Sequence, residues 1–158
     1  MEDMELALRE FVKGFYIPNP VNITFTQKQI VDGFKIDDLV SERNFRYFKN
    51  MLNRKVFGNS YSRYGKCLGM LVVREVSSNQ RHHLHTIIQQ PPTLTHQQFD
   101  QVVRECWGKT LFGYEEIHIN HPSEKDGWLG YMMKKKTKSN LMDGVDWENS
   151  HPVDPCRI

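Results

Sequence analysis

Two apolar runs in the middle of the chain, Cys67–Val76 and His83–Gln89, are joined by a short turn over Ser77–Arg81. A parallel pair of strands needs a crossover of a dozen residues or more, so this join predicts an antiparallel hairpin. The remaining elements have to pack around it. Val21–Thr26 alternates apolar and polar side chains and predicts a strand, as does Glu115–Asn120. Residues 4–13 and about 41–57 have helical patterns, the second with Phe45, Phe48, Leu52 and Val56 near one stripe and Gly58-Asn59 as a stop. Residues 27–40 fit neither pattern, and 59–65 form a polar loop. Thr95 and Gln98 have capping-box spacing. The helix they open sets Phe99, Val102, Val103, Cys106 and Trp107 on one apolar face. A last helix runs from Pro122-Ser123-Glu124 to about Lys136. Helices and a central hairpin in this order predict an α+β fold, an antiparallel sheet of about five strands flanked by helices.

With 158 residues the chain is expected to form a single domain, 1–158, with 140–158 as an extended tail that wraps the surface or stays loosely ordered. Hydrophobic residues are 39%, too many for a disordered chain, and no apolar run approaches the length of a membrane span. The acidic start, Met1-Glu2-Asp3-Met4-Glu5, is unlike the basic opening of a secretory signal. Cys67, Cys106 and Cys156 are odd in number and form no CxxC, which fits a reducing, cytoplasmic setting.

The net charge is only +2, but it is unevenly spread. Arg43, Arg46, Lys49, Arg54, Lys55, Arg63, Lys66 and Arg74 follow one another with no acid between them. Lys134, Lys135, Lys136 and Lys138 form a second cluster. Segregated positive charge of this kind suits a phosphate-rich partner. Tyr61 and Tyr64, in the basic segment, and Trp128 are candidates to stack on bases.

Strand alternation puts His83, His85, Ile87 and Gln89 on one face. If the hairpin turns about Asn79, Glu75 lies opposite His83 and Val73 opposite His85. Two imidazoles and a carboxylate would then converge as a divalent-cation site. The plain alternative is a pair of surface histidines. His82 has the wrong parity, and His118 and His121, a rival pair, are expected to be structural or peripheral. On the last helix, Tyr131 has Lys134, and by position Lys135, beside it. An ammonium there favours the phenolate and steadies a phosphate oxyanion. The plain alternative is an amphipathic helix that buries Trp128, Tyr131 and Met132 and leaves its lysines in solvent; Tyr61, Tyr64 and Tyr114 are rival tyrosines.

In order along the chain, these residues resemble the motifs of the HUH endonucleases, and among them the single-tyrosine initiators of rolling-circle replication. Asn22-Ile23-Thr24-Phe25-Thr26 resembles motif I, His83-Leu84-His85 motif II and Tyr131-Met132-Met133-Lys134 the YxxK of motif III; Glu75 matches the position of the carboxylate ligand. The resemblance spans residues 21–136. It implies an RRM-like sheet with helices on both faces and Mg²⁺ or Mn²⁺ held by His83, His85 and Glu75. It also implies cleavage of single-stranded DNA at an origin by Tyr131, leaving a 5′-phosphotyrosine and a free 3′-OH, with a host helicase or polymerase as a further partner class. There is no second tyrosine one helical turn from Tyr131 and no Walker motif, so the two-tyrosine mechanism and an attached helicase are not expected in this chain. Two other functions fit the same residues: a non-catalytic origin-binding or repressor module, and an unrelated HxH phosphodiesterase.

Overall fold

The computed structural model describes residues 6, 10, 14–76, 81–122 and 144–153. Its centre is a four-stranded antiparallel sheet built from β1 (Pro20–Gln27), β4 (Met70–Val76), β5 (His82–Gln89) and β6 (Gly113–Asn120), in the order β4-β5-β1-β6. A separate hairpin pairs β2 (Ile30–Val31) with β3 (Phe34–Lys35). Its turn is Asp32-Gly33, with φ of 51° and 80°. Two positive φ values are what a tight type I′ hairpin turn requires, and Asp-Gly supplies them at low cost. This hairpin occupies the stretch that the sequence pattern leaves undecided.

Two longer helices, α1 (Asp38–Phe57) and α3 (His96–Gly108), pack on one face of the sheet. α1 starts where the Asp37 carboxylate accepts from Val40 N at 2.8 Å, and ends at Gly58, whose φ is 56°. The short α2 (Asn59–Tyr64) follows in place of the expected loop. α3 opens with the expected capping box: Thr95 and Gln98 each bond the other's backbone N–H.

Alternate residues of the four strands of the main sheet build the core beneath these helices. Val21, Ile23, Phe25, Met70, Val72, Leu84, Ile88 and Ile117 meet Phe45, Phe48 and Leu52 of α1 and Phe99, Val103, Cys106 and Trp107 of α3. Phe25 is central: its ring centroid lies 4.6 Å from Trp107 and 5.0 Å from Phe48. Tilted and edge-on aromatic pairs at such separations add about 0.5–1.5 kcal/mol each beyond the area they bury. Asn53, fully buried, ties α1 to the start of β4 by donating to Lys49 O and accepting from Leu68 N.

The outer edge of β4 is closed by residues 144–153. Val72 O accepts from Asp146 N, and Met70 exchanges two backbone bonds with His151. Such a cover removes the exposed backbone groups of an edge strand. Gly144 is required there, because a Cβ would lie 2.6 Å from Arg74 O. The Asp146 carboxylate is 1% exposed; Asn149 donates to it and Arg74 stands 3.7 Å away. Among the described residues no helix is long and apolar enough to cross a membrane. The first and last helices expected from the sequence, 4–13 and 122 to about 136, lie outside the described residues apart from positions 6, 10 and 122.

Candidate functional site

The hairpin register is the expected one: Glu75 pairs with His83 and Val73 with His85. β1 lies on the other side of β5, with Thr26 paired to His83 and Thr24 to His85. Since Phe25, Leu84 and Arg74 form the neighbouring row, Glu75, His83, His85, Thr24 and Thr26 all project from the face opposite α1 and α3. Further along the same face Asn22, Leu71 and Ile87 are buried and form its floor.

The contacts are specific. His85 Nε2 is 2.5 Å from Glu75 Oε2, with the imidazole 15% and the carboxylate 36% exposed. Thr24 Oγ1 is 3.4 Å from His85 Nδ1, and Thr26 Oγ1 is 3.5 Å from His83 Nδ1. A neutral His85 that donates Nε2–H to Glu75 accepts at Nδ1 from the Thr24 hydroxyl. A hydroxyl can also accept. If Nε2 instead gave its lone pair to a cation, the proton would sit on Nδ1 and Thr24 would receive it. Thr24 therefore supports either state of the ring.

The donor set, two imidazoles and one carboxylate on a common face, is of the type that takes a divalent cation. In the conformation seen, Glu75 and His85 are closed on each other, and among the described residues no three His, Cys, Asp or Glu side chains stand ready-arranged around one point. Binding would have to part that pair and bring in His83, the next residue of the same face.

Beside the histidines the sheet is irregular. Phe25 pairs with Ile117 and Gln27 with Gly113, so β6 carries extra residues next to Thr26. Bulges of this kind recur next to functional sites because they re-aim side chains and loosen the ladder.

Other sequence candidates fall elsewhere. His118 pairs through Thr24 and so shares the face of His85, but two strands away; it is exposed and 3.4 Å from Glu116. His121, beyond β6, lies 2.8 Å from Asp100, with its ring 3.9 Å from that of His96. His82 pairs with Val76, off the Glu75 face, and burial lowers its pKa against the opposing pull of Asp38 and Asp37.

The basic segment is placed on the other side of the sheet, because α1 packs on the Phe25 face. Arg46 bonds Glu42 at 2.6 Å, and Lys55 stands 3.8 Å from Glu105. Lys49 is half-buried, and desolvation lowers its pKa despite the charges of Cys67 and Asp146. Tyr61 donates to Asn50, and burial raises its pKa. Arg43, Arg54, Arg63, Tyr64 and Lys66 are exposed. These residues make a positive outer surface, but not the wall of the histidine site. Tyr131, Lys134, Lys135 and Trp128 lie outside the described residues.

Thr24 and Thr26 were not singled out from the sequence. Their signal is the alternation of Asn22-Ile23-Thr24-Phe25-Thr26, which places both threonines on one face; what it lacks is any mark that this strand neighbours β5. Compared with known proteins, the chain matches no protein-family model, no curated protein and no solved structure.

Proposed function

We propose that the chain is a metal-dependent enzyme that nicks and rejoins single-stranded DNA at a replication origin, as the HUH-like order of its motifs suggests. The observation that supports this most directly is the contact of Glu75 with His85, on the face that also carries His83. An HxH pair on a plain surface strand has no need of a carboxylate in register.

In this scheme His83, His85 and Glu75 would hold Mg²⁺ or Mn²⁺. When bound, the cation would supply positive charge to polarise a phosphodiester. The chain's own residues do the rest. Thr24 and Thr26 orient the two imidazoles from the Nδ1 side. Tyr131 attacks phosphorus through its phenolic oxygen, with Lys134 or Lys135 favouring the phenolate. The P–O bond to the 3′ oxygen breaks as the bond to tyrosine forms, giving a 5′-phosphotyrosine and a 3′-OH. Reversal by an incoming 3′-OH restores the phosphodiester and the free tyrosine, so joining needs no nucleotide triphosphate.

Incubation with single-stranded DNA and Mn²⁺, followed by denaturing electrophoresis, tests the scheme. The expected result is a covalent adduct that Tyr131→Phe abolishes and His85→Ala strongly reduces, because the variant loses its hold on the ion that polarises the phosphodiester. An adduct that survives in Tyr131→Phe overturns the assignment of the nucleophile. Binding without any adduct leaves a non-catalytic DNA-binding module, and cleavage that releases both products freely leaves an HxH phosphodiesterase.

A further inference from the structure

A small cleft of about 280 Å³ opens where β1 ends, lined by Thr26, Gln27, Lys28, Gln29, Arg81 and Tyr114. Thr26 links it to the histidine site, since the same hydroxyl lies 3.5 Å from His83 Nδ1. The irregular β1–β6 pairing forms one of its sides, and Lys28 N donating to Phe112 O at 2.7 Å holds that side in place.

Its lining has a definite chemistry. There are two cationic side chains and no carboxylate. Lys28 has no ion pair among the described residues. Tyr114 is 43% exposed and presents a phenol to solvent. Gln27 is 3% exposed, and its Oε1 accepts from Ser41 Oγ at 3.0 Å, which fixes the end of β1 beside the cleft. The space lies at the small end of ligand sites, which suits one nucleotide.

We infer that this cleft binds one nucleotide of single-stranded DNA next to the phosphodiester held at the histidines. Lys28 and Arg81 meet its phosphate, Tyr114 stacks on the base, and the amide of Gln29 meets acceptors on the base edge. This rests on the nicking function proposed above but assigns the strand to different residues. The DNA runs over the β1–β6 corner on the histidine side rather than along the basic outer surface of α1 and α2.

The test uses the full chain in EDTA, where no cleavage occurs, with an oligothymidylate carrying one 5-iododeoxyuridine. Light cross-links the base to the aromatic ring it stacks on, and mass spectrometry identifies the peptide. Cross-linking at Tyr114, with affinity falling about tenfold or more in both Tyr114→Ala and Lys28→Ala, is the expected result. Tyr114 is exposed enough that its replacement leaves the core untouched. Cross-links confined to Tyr61 or Tyr64, or none at all, overturn the cleft even where Mn²⁺ still yields the covalent adduct. Cross-linking at Tyr114 in a protein that never forms the adduct supports the cleft and removes the nicking chemistry instead.

Discussion

Phe25 and Thr24 are neighbours in β1, yet they face different worlds. Phe25 is 0% exposed among Phe45, Phe48 and Trp107, on the side covered by α1 and α3. Thr24 touches the imidazole of His85 on the other side, where Glu75 and His83 also project. One parity of the strands carries the aromatic core; the other, apolar at Leu71, Val73 and Ile87, carries titratable groups towards the Glu75 end because neighbouring strands supply their partners. Substitutions at Thr24 should therefore be cheap, and truncations at Phe25 expensive. Phe25→Ala should be the most damaging change, costing about 3–5 kcal/mol through lost burial and a cavity among the rings. Urea denaturation measures it, and a loss below about 1 kcal/mol would break the contrast between the faces.

The two faces meet at the outer edge of β4, and there the contrast can be read as a pH effect. His151 closes that edge by its backbone, with Nδ1 of its ring 3.8 Å from Cys67 Sγ. Burial, then the charge of Lys49, lowers its pKa to about 4 from 6.5, against a smaller upward pull from the backbone at Pro152. The unfolded chain therefore takes up a proton between pH 6.5 and about 4 that the folded chain refuses. Its stabilising contribution is complete above pH 6.5, falls as the pH drops, and is exhausted below about 4. Discounted for the part of the ring that solvent reaches, the loss should be about 2 kcal/mol. His151→Gln should flatten this part of the stability–pH profile, and an unchanged slope in that variant would remove His151 as its source.

How far these features could be read from sequence depended on whether the signal was local. The register of Glu75 with His83 was legible because a short turn and strict alternation leave few alternatives. The capping box at Thr95 and the apolar face from Phe99 to Trp107 were legible for the same reason. The Asp32-Gly33 turn was also written locally, in the residue pair that best fits two positive φ values, but its flanking strands are only two residues long. Long-range placement was not legible. Nothing in the run from Arg43 to Lys66 tells that α1 turns its basic side away from the histidines, because that follows from which sheet face Phe45 and Phe48 cover. Nor does any pattern in Asp146 or His151 announce that they close the edge of a strand some seventy residues earlier.

On the helix face, a milder change tests whether α3 depends on its own cap or only on packing. Thr95→Ala removes the acceptor for Gln98 N at 3.2 Å and leaves only the bond from the backbone N of residue 95 to Gln98 Oε1, 3.0 Å in the parent. The expected cost is about 1 kcal/mol, read from urea denaturation. A negligible change would mean that Phe99, Val103 and Trp107 alone hold the helix.

The smallest effect on stability should come from Thr24→Val on the opposite face. The hydroxyl's contact with His85 Nδ1 is long, at 3.4 Å, and valine keeps the shape of the side chain and suits a strand. Stability should change by no more than about 0.5 kcal/mol. The same substitution should be far more visible in Mn²⁺ binding followed by calorimetry. Without Thr24 to accept the Nδ1 proton, His85 is less firmly held in the tautomer that offers Nε2, and second-sphere losses of this kind weaken metal affinity by about 10–100-fold. A variant that is as stable as the parent but binds Mn²⁺ poorly would separate the two faces by function as cleanly as Phe25→Ala separates them by packing. Unchanged Mn²⁺ affinity would mean that Thr24 merely fills the strand and does not orient His85.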